Sequence, residues 1–72
     1  MNMKYTIIIE KGKNSYGAYI PDLPSCVAVG ETEEEVKVLI KEALEFHLEG
    51  MKLESKRIPK PKTKFFEMEV AL

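Results

Sequence analysis

Acid–base or nucleophilic chemistry needs polar groups held within hydrogen-bonding reach of one another, and this 72-residue sequence offers one histidine, His47, and one cysteine, Cys26. His47 falls on the apolar stripe of a helical segment, so it reads as a core or boundary histidine bonded to backbone or water. Metal ligation would need partners such as a second His, an HExxH pair or a Cys pair, and the sequence has none of these. Cys26 opens the short apolar run Cys26-Val27-Ala28-Val29 with no cationic neighbour named by the sequence, which suits packing rather than a reactive thiolate. Glu33, Glu34 and Glu35 are adjacent carboxylates, but adjacent residues on a helix point around its axis and not toward one ion. Gly12, Gly17, Gly30 and Gly50 form neither GxGxxG nor GxxxxGK, so nothing cradles a phosphate. The expectation is no catalytic residue, no metal ligand, no cofactor and no enzymatic activity.

What remains is surface chemistry, and the elements must be placed before it can be read. Seventy-two residues make one domain at most, here 1–72, and a chain this short buries only about 60% of the surface its unfolded form exposes. Oligomerisation would relieve that marginal stability. A charged share of 32% with 44% hydrophobic residues places the chain among folded globular domains, and the absence of Trp points to an aliphatic core. The single cysteine excludes an internal disulfide and fits a reducing cytoplasm. Three isoleucines before Glu10 are far short of a signal peptide's apolar stretch or of a membrane span of about 20 residues, so a cytoplasmic, membrane-free location is expected.

Residues 3–10 alternate Tyr5, Ile7 and Ile9 against Lys4, Thr6, Ile8 and Glu10, the pattern of a strand. Lys11-Gly12-Lys13-Asn14 supplies turn residues, and Ser15–Ile20 returns as the second strand of a hairpin. Pro21 and Pro24 each lack a ladder donor and restrict the residue before them, which predicts a shaped loop over 21–25 and a third strand over Cys26–Val29. Thr32 followed by Glu35 is a capping box, with three carboxylates in the first turn to suit the helix dipole. Val36, Leu39, Ile40, Ala43, Leu44, His47, Leu48 and Met51 then fall at helical spacing on one stripe. Gly50 or Leu53 marks the helix end. Beyond a proline-stiffened connector at 58–62, Lys64–Val70 alternates Phe66, Met68 and Val70 against Phe65, Glu67 and Glu69, and predicts a fourth strand. The expected fold is α+β, β-β-β-α-β, with one helix on one face of a small, mainly antiparallel four-stranded sheet. A right-handed crossover would give the strand order 3-2-1-4.

On that scaffold, residues 31–49 carry seven of the twelve acids, while residues 52–64 carry six of the eleven bases. The basic run is broken by Pro59 and Pro61 and lacks interleaved aromatics, so it gives little support to nucleic-acid binding; a solvated face explains both runs equally well in sequence, and docking on a charged partner is the functional reading. Tyr16 and Tyr19 must lie on opposite faces of their strand, one packed on the helix and one outward, where it serves as a cross-strand partner or an interface anchor. Val38 and Phe46 lie off the buried stripe among Lys37, Glu42, Glu45 and Glu49, a small apolar patch rimmed by charge.

The stretch Tyr16-Gly17-Ala18-Tyr19-Ile20-Pro21-Asp22-Leu23-Pro24-Ser25-Cys26-Val27, followed by Gly30-Glu31-Thr32-Glu33-Glu34-Glu35, Glu42-Ala43-Leu44 and Leu48-Glu49-Gly50, closely resembles the HicB-like antitoxins from Met3 to about Pro61. The resemblance implies a degraded RNase H-like fold without nuclease activity, homodimers or higher homo-oligomers, and neutralisation of a small HicA-like ribonuclease toxin. Ser25 stands where the family usually has Gly, so a positive φ there would be strained or absent. No C-terminal helix-turn-helix or ribbon-helix-helix module follows the fourth strand in this sequence, so sequence-specific DNA binding is not expected. The candidate partner-binding residues are Tyr19, Asp22, Leu23, Pro24, Glu42, Glu45, Phe46 and Glu49. The rival readings are an orphan structural or regulatory homo-oligomer, and a residual metal-dependent nuclease drawing on Glu10 and Asp22 at one sheet end.

Overall fold

The computed structural model describes residues 2–72, so the first residue of the domain expected over 1–72 lies outside the described residues. Three strands, β1 (Ile8–Lys11), β2 (Tyr16–Ile20) and β3 (Leu23–Gly30), form an antiparallel sheet in the order β1-β2-β3, and one helix, α1 (Glu33–Leu53), follows. The α+β class, the hairpin and the helix match the sequence reading. Register brings Ile8, Tyr19 and Val27 into one row across the sheet and Glu10, Gly17 and Val29 into another. The rows between, through Ile9, Ala18 and Ala28, point to the other face, and that is the face α1 covers, chiefly over β3 and β2.

The helix starts where its cap dictates. The Glu35 amide donates to Thr32 Oγ1 at 3.0 Å, satisfying one orphan donor of the first turn. Glu35 reaches back as a capping-box residue does, but its Oε1 accepts from the Glu31 amide at 2.8 Å. Gly30 makes room for this: a Cβ there would stand 2.9 Å from Glu35 Oε1 and 3.0 Å from the Val36 nitrogen. At the other end the Lys56 amide donates to Met51 O at 2.9 Å and the Ser55 amide to Lys52 O at 3.1 Å, a Schellman closure with Ser55 at φ 57° in the left-handed position.

Ala18, Ile20, Leu23, Cys26, Val36 and Ile40 are buried and form the core. Of the predicted stripe, Val36 and Ile40 are buried, Ala43, Leu44, His47, Leu48 and Met51 are half-buried, and Leu39 is exposed. Only the first half of the helix is fully covered. Leu44 and Leu48 on the helix, and Tyr5, Ile7 and Ile9 at the start of the chain, are half-buried and pack against this core.

Three expectations need correction. The fourth strand is missing: residues 64–70 pair with nothing among the described residues, so the order 3-2-1-4 reduces to its first three members. Alternation supplies two faces for a strand, but a strand also needs an edge to pair with, and this segment leaves the sheet. The third strand starts at Leu23 and not at Cys26. Pro24 is tolerated because β3 is an edge strand, where a missing donor breaks no ladder bond, and the register shifts there so that Ile20 faces Leu23 while Tyr19 faces Val27. The first strand is shorter than residues 3–10, because beyond Tyr19 its partner strand meets that shift and then Pro21. Ser25 has no positive φ, so the replacement of Gly at this position carries no strain.

Candidate partner-binding surface

The candidate residues separate into two groups. Tyr19, Asp22, Leu23 and Pro24 cluster at the tight turn between β2 and β3, whereas Glu42, Glu45, Phe46 and Glu49 lie on α1. Ala18 and Ile20 are buried beneath the helix, so Tyr19 between them projects from the opposite face, 39% exposed. The outer surface of α1 and the open face of the sheet are the two sides of a two-layer molecule. The structure therefore does not bring the two groups into one patch.

On the helix, positions 42, 45, 46 and 49 fall at i, i+3, i+4 and i+7 and all are exposed. Phe46 is 81% exposed, with Val38 two turns before it and Leu53 two turns after, each of them also exposed. A shallow groove of about 230 Å³ runs beside Phe46, bounded by His47, Gly50, Met51, Glu54 and Lys56. The result is an apolar ridge flanked by three carboxylates, a form suited to a basic partner with an apolar notch. Leu53 escaped the sequence reading because the helix end was left open between Gly50 and Leu53.

At the turn, the side chains do different work. Leu23 is in the core at 3% exposure, so it serves the fold and presents nothing to a partner in the free chain. Asp22 is fully engaged within the chain: its Oδ2 accepts from the Lys62 and Thr63 amides, each at 3.0 Å, and its Oδ1 accepts from the Thr63 hydroxyl at 2.9 Å. These donors, the Thr63 amide first and then that of Lys62, hold its pKa below the ordinary Asp value. Thr6 Oγ1 donates to Thr63 O at 2.8 Å and the Tyr5 hydroxyl donates to Pro59 O. Desolvation, and secondarily the Asp22 charge, push the Tyr5 phenol up. Segment 59–63 is thus stitched to Tyr5 and Thr6, just before β1, and to the β2–β3 turn. Between them lies an open cleft of about 750 Å³ lined by Pro21, Asp22, Pro24, Arg57, Ile58, Pro59, Lys60 and Lys62.

The open face of the sheet adds a surface the sequence did not announce. Val27 and Val29 are 61% and 68% exposed, Val27 continuing the row of Ile8 and Tyr19 and Val29 the neighbouring row of Glu10 and Gly17 on the same face. An unbroken apolar run, Cys26 to Val29, hides its own alternation, and only the outward assignment of Tyr19 together with the register could have exposed it. Cys26 and Ala28 take the covered side, and burial pushes the Cys26 thiol up, which disfavours its thiolate.

Glu10 lies on β1 toward the β1–β2 hairpin, opposite Gly17, while Asp22 sits at the far end of the sheet beyond Ile20. The pairing imagined for a residual nuclease is therefore corrected: antiparallel register places these two acids at opposite ends. Among the described residues no three His, Cys, Asp or Glu side chains converge as a metal site, and no helix is long and apolar enough to cross a membrane.

Residues 5–69 match the family described as HicB-like antitoxin of bacterial toxin-antitoxin system. An uncharacterized 14.9 kDa protein from the rep-hol intergenic region of Haemophilus phage HP1 is 41% identical over 58 residues, covering 81% of this chain and 44% of the phage protein. A UPF0150 protein of Thermoplasma acidophilum is 39% identical over 59 residues, covering 81% of this chain and 86% of its relative. Another UPF0150 protein, from Helicobacter pylori, is 44% identical over 46 residues, 64% of each chain. This chain thus spans less than half of the phage protein and nearly all of the archaeal one. No solved structure matches it. With the family match running from before β1 to beyond the connector, and a relative of similar length 39% identical along most of it, the chain belongs to the HicB-like antitoxins of bacterial toxin–antitoxin systems.

Proposed function

We propose that this chain, acting as one domain over 1–72, is the cytoplasmic, non-enzymatic antitoxin that binds and neutralises a HicA-like mRNA-cleaving ribonuclease by covering its RNA-binding surface. The observation that carries the reading, beyond family membership, is the outer face of α1. A surface that binds RNA is basic, and Glu42, Glu45 and Glu49 around Phe46 present the complementary charge with an apolar anchor at the centre. Tyr19 and Pro24, on the other side of the molecule, would form a second contact only with a toxin that wraps the sheet edge. A degraded RNase H-like ancestry accords with a β-hairpin, third strand and helix in this order, and with acids that do not converge.

The test is a titration of the chain against a HicA-like toxin from the same genome, at low and at moderate salt. Binding that blocks RNA cleavage, weakened at least about tenfold at low salt by Glu45→Lys with Glu49→Lys, supports the reading. Normal binding by that variant removes the electrostatic part. Absence of any complex with the unaltered chain removes the toxin. The alternative, an orphan homo-oligomer, is favoured by the exposed Val27, Val29 and residues 64–70, and it predicts self-association with no toxin present.

A further inference from the structure

The cleft beside the β2–β3 turn carries charge that the rest of the chain does not answer. Arg57, Lys60 and Lys62 line it from the connector side. Among the described residues the ion pairs join Lys37 to Glu33 and Lys56 to Glu54, so none of these three cations is held in one. The carboxylate in the cleft wall, Asp22, already has its oxygens engaged by the Lys62 amide and by the amide and hydroxyl of Thr63. The charge of Lys62 acts on it more weakly than these donors do. Three cations therefore face solvent against one acid whose acceptors are in use.

The rest of the lining is aliphatic. Pro21 and Pro24 stand on the turn side, and Ile58 and Pro59 on the connector side. No aromatic ring lines the cleft, whereas grooves for single-stranded nucleic acid stack bases on such rings. The cleft is also open, whereas a small-molecule site encloses most of its ligand. An extended polypeptide lying along an open cleft keeps one side in water and needs no enclosure. Nor must the connector be ordered on binding, a step that would weaken affinity. The Tyr5 hydroxyl already holds Pro59 O, and Asp22 already holds the Lys62 and Thr63 amides.

We propose that this cleft is the docking site for an extended segment of a partner protein in which acidic and apolar side chains alternate. Successive side chains of an extended chain point to opposite sides, and the two walls of the cleft differ in the same sense. Carboxylates on one side of the segment meet Arg57, whose fork of donors suits them bidentately, and the ammonium groups of Lys60 and Lys62. Apolar side chains on the other side meet Pro21 and Pro24. The acids are thereby turned away from Asp22. This site uses none of Glu42, Glu45, Phe46 and Glu49 and has the opposite charge to theirs, so it stands independently of the proposed toxin contact.

The experiment titrates the nitrogen-15-labelled full chain with a blocked hexapeptide alternating glutamate and valine, and follows the amide signals at low and at moderate salt. A hexapeptide with glutamine in place of glutamate and a short oligouridylate are run beside it. The expected result is saturable shifts at the amides of Asp22, Leu23, Arg57, Lys60 and Lys62, weakened by salt, with no response to the glutamine peptide. Arg57→Gln with Lys60→Gln weakens binding at least about tenfold. Both side chains are exposed and outside any ion pair, so the variant keeps its fold, which unchanged amide signals along α1 verify. Absence of saturable shifts, shifts centred on α1, equal binding of the glutamine peptide, tighter binding of the oligouridylate, or a variant that binds as before overturns the proposal.

Discussion

Thr63 donates to Asp22 twice, through its amide to Oδ2 at 3.0 Å and through its hydroxyl to Oδ1 at 2.9 Å, across 41 residues of chain. With the Lys62 amide as third donor, this clasp fixes where the segment after the helix returns to the sheet. Removing the carboxylate frees it: in Asp22→Ala, amide exchange at Lys62 and Thr63 speeds up at least about tenfold, while the amides of β2 and of the first half of α1 keep their protection. Unchanged exchange at 62 and 63 would show that the connector is held by something else.

The same clasp sets an acid dependence. Because the Asp22 pKa is depressed in the folded chain, the contribution of its charge is fully present above the unfolded value of about 3.9. It is lost as the pH falls through the lower, folded value. The carboxyl carbon of Asp22, followed by NMR from neutral to acid pH, should titrate with a midpoint below that of Asp in an unfolded peptide, with the Thr63 amide signal moving in step. A midpoint at or above the peptide value would contradict the bonding described for it.

Ser55 holds the left-handed position of the Schellman closure, with φ 57°, where helices ordinarily place Gly. A Cβ in that region costs on the order of 1–2 kcal/mol. Ser55→Gly should therefore raise unfolding stability by roughly 1 kcal/mol, partly offset by the greater freedom of Gly in the unfolded chain. Urea melts of the two chains at matched concentration measure it directly. A loss of stability would mean that the hydroxyl has a role the bonding does not reveal.

Gly30 tests the other helix end. A Cβ there meets Glu35 Oε1 at 2.9 Å and the Val36 nitrogen at 3.0 Å. The carboxylate can swing away but the backbone of the first turn cannot, so Gly30→Ala costs about 1–3 kcal/mol and breaks the Glu31–Glu35 bond. A double variant with Glu35→Ala should show less than additive loss, since the side-chain part of the clash is already gone. Full additivity would place the cost in the backbone alone.

How far these features were legible depended on the range of the interaction that makes them. Thr32 and Glu35 are three residues apart, and their bond could be read directly; so could the stripe from Val36 to Met51, because helical periodicity is a property of one segment. Pro24 misled because its cost depends on whether its strand is central or at an edge, which sequence does not state. Leu23 reads as a partner residue in sequence, whereas its burial accompanies a register shift beside Tyr19 and Ile20 that the sequence does not state. The segment 64–70 has a strand's alternation, but pairing is a relation between segments, and alternation carries no address for the partner. In sequence Asp22 reads as a partner-binding candidate, because its donors lie 40 and 41 residues away.

Cys26 offers a probe of the whole fold. Its side chain is 2% exposed in the core, and burial pushes its thiol up, so neither access nor ionisation favours reaction in the folded chain. Alkylation by iodoacetamide should proceed only through opening of the β3–α1 contact, at a rate slowed by the opening equilibrium. Mild urea, well below the unfolding midpoint, should accelerate it in proportion to the surface exposed on opening. Cys26→Ser, which puts a hydroxyl among the apolar side chains of the core, should cost about 1–3 kcal/mol and shift the urea midpoint down with it. A thiol that reacts as fast in the native chain as in an unfolded peptide would show that the β3 side of the core is open, and would remove Cys26 from the set of residues that hold the helix to the sheet.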